Sequence, residues 1–79
     1  MDREEILSRV TEVVSDVLGV PEEEISEDSE FVADLGAESI QSLELVASFE
    51  EEFEIEMDEE RALQVQSVGD AVDFIAEYV

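Results

Sequence analysis

A chain of 79 residues that is 44% apolar, with one Pro, three Gly, and no Cys or His, makes one small domain without disulfide, thiolate or imidazole chemistry. Twenty-five Asp and Glu stand against only Arg3, Arg9 and Arg61, a net charge of −22. That charge excludes nucleic acid and anionic membrane surfaces as partners and favours basic protein surfaces.

The first predicted element is an amphipathic helix from about Arg3 to Leu18. Ile6, Val10, Val13, Val14 and Val17 recur at helical spacing, and Leu7 and Leu18 widen the stripe. Asp2 and Glu5 suit the positive end of the helix, and Gly19 followed by Pro21 reads as its stop. Glu5 and Arg9 are spaced to pair at i,i+4, worth about 0.2–0.5 kcal/mol.

Val20 to Gly36 is a long connection for so small a domain, and such connections carry function or structure of their own. Ile25, Phe31, Val32 and Leu35 are apolar enough to pin it to the helices, so it reads as an ordered crossover. A second helix is predicted from about Glu38 to Glu52, ending near Phe53, and a short one from about Asp58 to Leu63. The last helix begins after Ser67, where Ser67 and Asp70 resemble a capping box. It carries Val68, Ala71, Val72 and Ile75 and runs to the C-terminus. The expected fold class is all-α, a small bundle of three longer helices plus one short helix with a long loop between helix 1 and helix 2, in one domain over residues 1–79. With no signal-peptide pattern and no apolar run of membrane-spanning length, a cytoplasmic monomer without membrane insertion is expected.

Helix 2 carries two apolar stripes. At about 100° per residue, Leu45, Val46, Phe49 and Phe53 share an arc of roughly 100°, an ordinary core face. Ile40, Leu43 and Ala47 share a separate arc of about 60°, with Glu44 and Glu51 on one side and Glu50 on the other. This second stripe reads either as a widening of the core face or as an exposed strip for docking a groove lined by Arg or Lys. Ser39 lies between the two faces, at the helix start, close to backbone N–H groups that have no helical partner. A phosphate attached to its hydroxyl is well placed there.

Serine needs a base to become a nucleophile, and the chain has neither His nor Lys for a triad or dyad. No catalytic residue is therefore assigned, and Ser39 reads as an attachment point for chemistry done elsewhere. The plain alternative for a serine at a helix start is an N-cap or a solvent-exposed residue. The acidic runs Glu22-Glu23-Glu24, Glu50-Glu51-Glu52 and Asp58-Glu59-Glu60 read as solvated faces. None has the alternating ligands and central Gly of an EF-hand loop, so no dedicated metal site is expected.

The run Phe31-Val32-Ala33-Asp34-Leu35-Gly36-Ala37-Glu38-Ser39-Ile40, with Leu43-Glu44-Leu45-Val46 and Glu50-Glu51-Glu52-Phe53 after it, resembles acyl carrier proteins. Leu18-Gly19-Val20 and Val68-Gly69-Asp70-Ala71-Val72 extend the likeness over essentially the whole chain. The resemblance implies that a separate phosphopantetheinyl transferase, with magnesium, joins 4′-phosphopantetheine from coenzyme A to Ser39. Acyl intermediates would then ride as thioesters on the arm's thiol. It also implies that acyl-chain synthesis or transfer enzymes read helix 2 with basic docking surfaces. Glu38, Glu44, Glu50 and Glu51 would serve electrostatic recognition, and Ile40, Leu43 and Ala47 would be the apolar contacts. An acyl chain folded between the helices would lie against Phe31, Ala37, Phe49, Ala62, Val65 and Ala71.

Six positions depart from the family's usual pattern. Glu38 and Ile40 flank the serine where Asp and Leu are usual. Gln41 replaces a common carboxylate, Ala47 a larger apolar residue, Phe49 a frequent Leu, and Asp58 a frequent Pro. They leave the pathway open between fatty acid, polyketide, specialised lipid and aminoacyl carriage. Met1 and the lack of flanking linkers fit a free-standing protein, with a domain cut from a longer chain as the alternative. The alternative in another class is an acidic interaction module of the same fold without a prosthetic group. On charge alone, raising the ionic strength or adding millimolar magnesium should raise the melting temperature, because screening relieves self-repulsion; melts that do not move in calorimetry would remove this expectation.

Overall fold

In the computed structural model, which describes residues 1–79, Asp2 caps the first helix, α1, Arg3–Leu18, and its carboxylate accepts the Glu5 N–H at 2.9 Å. That bond satisfies one of the amides that a helix start leaves without a backbone partner. The predicted stripe faces inward, with Ile6, Val10 and Val14 at 1% exposure or less. Left-handed Gly19 ends the helix, its N–H donating to Ser15 O at 2.9 Å.

The crossover is ordered by its own hydrogen bonds. It contains one 3-10 turn, Glu22–Glu24, and the Ser26 N–H donates to Ser29 Oγ at 3.0 Å. Three backbone bonds fasten it to the start of the last helix: Phe31 N–H to Gln66 O (2.9 Å), Val68 N–H to Ser29 O (3.0 Å) and Gly69 N–H to Glu27 O (2.9 Å). Phe31 is buried, and Ile25 and Leu35 pack at the edge of the core. Val32 does not pin the crossover as expected; it is 67% exposed. Phe31 and Val32 are consecutive in one turn, so they cannot both face inward, and the larger ring takes the core side.

The second helix, α2, runs over Ser39–Phe53 and stops at Glu54, which adopts the left-handed conformation with φ 54°. The short α3 is Glu59–Ala62, capped by Asp58, whose carboxylate accepts the Arg61 N–H at 3.1 Å. The last helix, α4, is Val68–Ala76. Of the expected capping box, the Ser67 half forms: Ser67 Oγ accepts the Asp70 N–H at 3.1 Å. The helix does not reach the C-terminus. Glu77 and Tyr78 donate to Phe74 O and Ile75 O, three residues back, at 3.1 and 2.9 Å, and this tightening ends the α pattern.

The bundle is all-helical. α1 is its centre and packs against both α4 and α2. Each arginine joins two elements. Arg3 bonds Glu27 of the crossover and Asp73 of α4, and hydrogen bonding to Glu27, then Asp73, raises its pKa further. Arg9 does not pair with Glu5 along its own helix. It reaches Glu52 on α2 at 3.3 Å, with its guanidinium 5.6 Å from the Phe53 ring centroid, a site offering an aromatic face as well as a carboxylate. Arg61 pairs with Glu77. No helix is long and apolar enough to cross a membrane.

Replacing Ile6, 1% exposed, by Ala should cost about 2–5 kcal/mol in urea denaturation. Val32→Ala should stay within about 0.5 kcal/mol of the parent; a large loss there would contradict the outward placement of Val32.

Candidate functional site

The site is built on the turn that delivers the chain into α2. Glu30 N–H donates to Asp34 Oδ2 at 2.8 Å, and the N–H groups of Asp34 and Leu35 both return to Glu30 O at 3.0 Å. Gly36 then takes φ 71°, a conformation that a side chain would strain. Ala37 N–H bonds Phe31 O at 2.8 Å, and the Ala37 methyl is buried. The turn is thus anchored at both ends immediately before the helix. Asp34 had no role assigned from sequence; its bond to an amide four residues earlier depends on the folded turn.

Glu38 is the N-cap of α2, and its own N–H donates to Gln41 Oε1 at 2.9 Å. Ser39 is therefore the first helical residue and is exposed, and the capping role that would explain a serine at this point falls to Glu38. The first bond of the helical ladder is Ser42 N–H to Glu38 O at 3.0 Å. The amides of Ser39, Ile40 and Gln41 precede it, at the positive end of the helix, where a phosphodiester is electrostatically favoured. These features fit a phosphate-linked group on the Ser39 hydroxyl.

The two stripes of α2 separate in three dimensions. Leu45, Phe49 and Phe53 are buried, with Val46 at the core edge, whereas Ile40 is 64% and Leu43 48% exposed. Ala47 is also exposed, so the second stripe does not widen the core face. Glu38, Glu44 and Glu51 are exposed along this helix. Glu50 is only half-exposed: its Oε2 accepts the Met57 N–H at 2.8 Å, so it also holds the turn that leads to α3.

Between α2, α3 and α4 lies an apolar pocket with a cavity of about 40 Å³. Phe31, Phe49, Ala62, Val65 and Ala71 come together on its walls. Ala37 does not join them; it is buried under the turn, where it anchors the loop instead. Three further walls, Met57, Leu63 and Phe74, were not singled out from sequence: Met57 and Leu63 flank the short α3, and Phe74 lies on α4 outside the stripe of Val68, Ala71, Val72 and Ile75. Ser42 and Val46 also line the pocket. With Ser39 they form an i, i+3, i+7 line, so one face of α2 leads from the hydroxyl to the pocket. That spacing was readable in the sequence. No group of three or more acidic or other ligating side chains stands close enough to hold a metal.

A family model described as a phosphopantetheine attachment site matches residues 8–75. In three dimensions the chain is similar to a candidate acyl carrier protein from Mycobacterium tuberculosis, with TM-score 0.84 and 24% identity over 91% of this chain and 96% of that one. At that identity the likeness establishes the fold.

The Gln41 carboxamide should matter to the site through the cap alone. Gln41→Ala should lower stability by about 0.5–1 kcal/mol, and Gln41→Glu, which keeps an acceptor oxygen at the positive end, should recover it. Equal urea midpoints for parent and Gln41→Ala would deny the bond any role in holding the helix start.

Proposed function

Because the chain belongs to the phosphopantetheine attachment family, whose model spans residues 8–75, we propose that it is an acyl carrier protein with its 4′-phosphopantetheine joined to Ser39. The observation that carries this reading is the exposed hydroxyl at the first position of α2, held by an anchored turn and free of capping duty. The bound group supplies a thiol for thioester chemistry that this Cys-free chain lacks.

The chain's own residues present and shelter rather than react. Ser39 Oγ gives up its proton to the transferase and forms the new O–P bond, while the adenosine bisphosphate half of coenzyme A leaves. The amides at the start of α2 stabilise the phosphodiester charge. The strip of Ile40, Leu43 and Ala47, with Glu38, Glu44 and Glu51 beside it, is the face offered to the transferase and to synthesis or transfer enzymes with basic docking surfaces. Glu50 contributes less to that face than an unbonded carboxylate, since it is engaged by Met57 N–H. An acyl chain directed inward would meet Phe31, Phe49, Ala62, Val65 and Ala71. We read the protein as a non-enzymatic, cytoplasmic monomer serving fatty-acid, polyketide or specialised lipid synthesis.

Incubation with coenzyme A, magnesium and a broad-specificity phosphopantetheinyl transferase tests this by intact mass. The parent should gain one phosphopantetheine and Ser39→Ala none. A gain on the alanine variant would move the site elsewhere, and no gain on folded, unloaded parent would favour an acidic interaction module that uses the same exposed strip.

A further inference from the structure

The C-terminal residues are tied to the segment that closes the apolar pocket. Asp58 N–H donates to Tyr78 Oη at 3.1 Å, and Arg61 donates to the two carboxylate oxygens of Glu77 at 3.1 and 3.2 Å. The Arg61 guanidinium lies 5.0 Å from the centroid of the Phe74 ring. That ring also meets Tyr78 edge-on, with centroids 5.3 Å apart and planes at 82°. Phe74 is one wall of the pocket, and Ala62 of α3 with Leu63 forms another. Glu77 and Tyr78 do not themselves line it.

The cavity of about 40 Å³ has room for a few water molecules, each of which needs roughly 10–15 Å³ of such space. A chain as long as octanoyl is larger than a few waters and therefore enters only if a wall moves, because close-packed interiors have no slack to share. Phe49 and Phe74 stand on α2 and α4, both braced along α1. Phe31 stands on the crossover, which three backbone bonds fasten to the start of α4. The wall left is α3 with the residues beside it, a four-residue helix too short to be stable without outside contacts. Its polar fastenings to the rest of the bundle are the bonds to Glu77 and Tyr78 and, just before it, Met57 N–H to Glu50. How readily the pocket opens then depends on the C-terminal contacts.

We propose that Glu77 and Tyr78 latch α3 over the pocket and so restrict the chains it shelters to short acyl groups. The latch rests on the carrier function proposed above. Both residues act as positioning residues, through Arg61 and Asp58, and neither touches the cargo.

The test compares the parent with Glu77→Ala/Tyr78→Phe, which removes both polar contacts and leaves every pocket wall in place. In the unloaded proteins, the α3 amides of the variant should exchange hydrogen faster by about tenfold or more, as a locally released segment does. Acetyl and octanoyl forms are then loaded and their thioesters cleaved with hydroxylamine. In the parent, octanoyl should be cleaved as fast as acetyl, and in the variant several-fold more slowly. Octanoyl already protected in the parent, or parent-like exchange and cleavage in the variant, overturns the latch. Arg61→Gln breaks the same seam from the other side and must repeat the pattern; parent-like cleavage there overturns it equally. Loading is read first by intact mass, so an unloaded parent rejects the carrier function and the latch with it, whereas loading followed by unaltered rates rejects the latch alone.

Discussion

The bundle depends on α1. Its buried stripe of Ile6, Val10 and Val14 is the surface on which both α2 and α4 are laid. With both longer helices braced on the same partner, the space between them is filled by side chains from the crossover, α3 and α4. That space becomes the apolar pocket. Two flanking helices share one central helix, and the pocket follows from the side chains available to fill the remaining gap.

Charge is the opposing constraint. With 25 carboxylates and three arginines, every cation is placed where it joins two elements. Arg3 binds the crossover to α4, Arg9 binds α1 to the end of α2, and Arg61 binds α3 to the C-terminus. Exposed ion pairs of this kind contribute little individually. Their placement matters more than their strength, because each relieves repulsion at a seam between acidic surfaces. Two of the three also rest on an aromatic face, Phe53 or Phe74, which fixes the guanidinium in a way that a carboxylate alone does not.

The departures from the family's usual residues acquire physical meaning around the serine. Glu38 and Gln41 act together at the start of α2, the amide of one bonded to the side chain of the other. A carboxamide at position 41 keeps an acceptor there while sparing the helix start one more negative charge. Phe49 and Phe74 narrow the pocket from two sides, and Ala47 lowers the apolar relief of the exposed strip beside Ile40 and Leu43. Asp58, where proline is frequent in the family, has an N–H to donate to Tyr78 and a carboxylate to cap α3. Proline could do neither.

Helix positions, the stop at Gly19, the start after Ser67 and the serine at the head of an amphipathic helix were legible in the sequence, since each rests on local spacing and local caps. The two stripes of α2 were legible as well, but whether the second was buried was not. Phe31 and Val32 were equally apolar in the sequence, and only the turn that holds them decided which faced the core. Arg9 had a partner within reach on its own helix and took one on another, because the competing site exists only once α2 is packed. Phe31, Phe49, Ala62, Val65 and Ala71 do line one pocket, together with Met57, Leu63 and Phe74, which had not been singled out. Ala37 was placed on it and belongs under the turn instead. By itself the sequence determined the all-helical architecture, the acidic surface and the position of Ser39, because periodicity, charge and capping act over a few residues. Only the tertiary structure decided which apolar residues are exposed, which carboxylates are engaged and how small the pocket is, because burial and pairing depend on residues far apart in the chain.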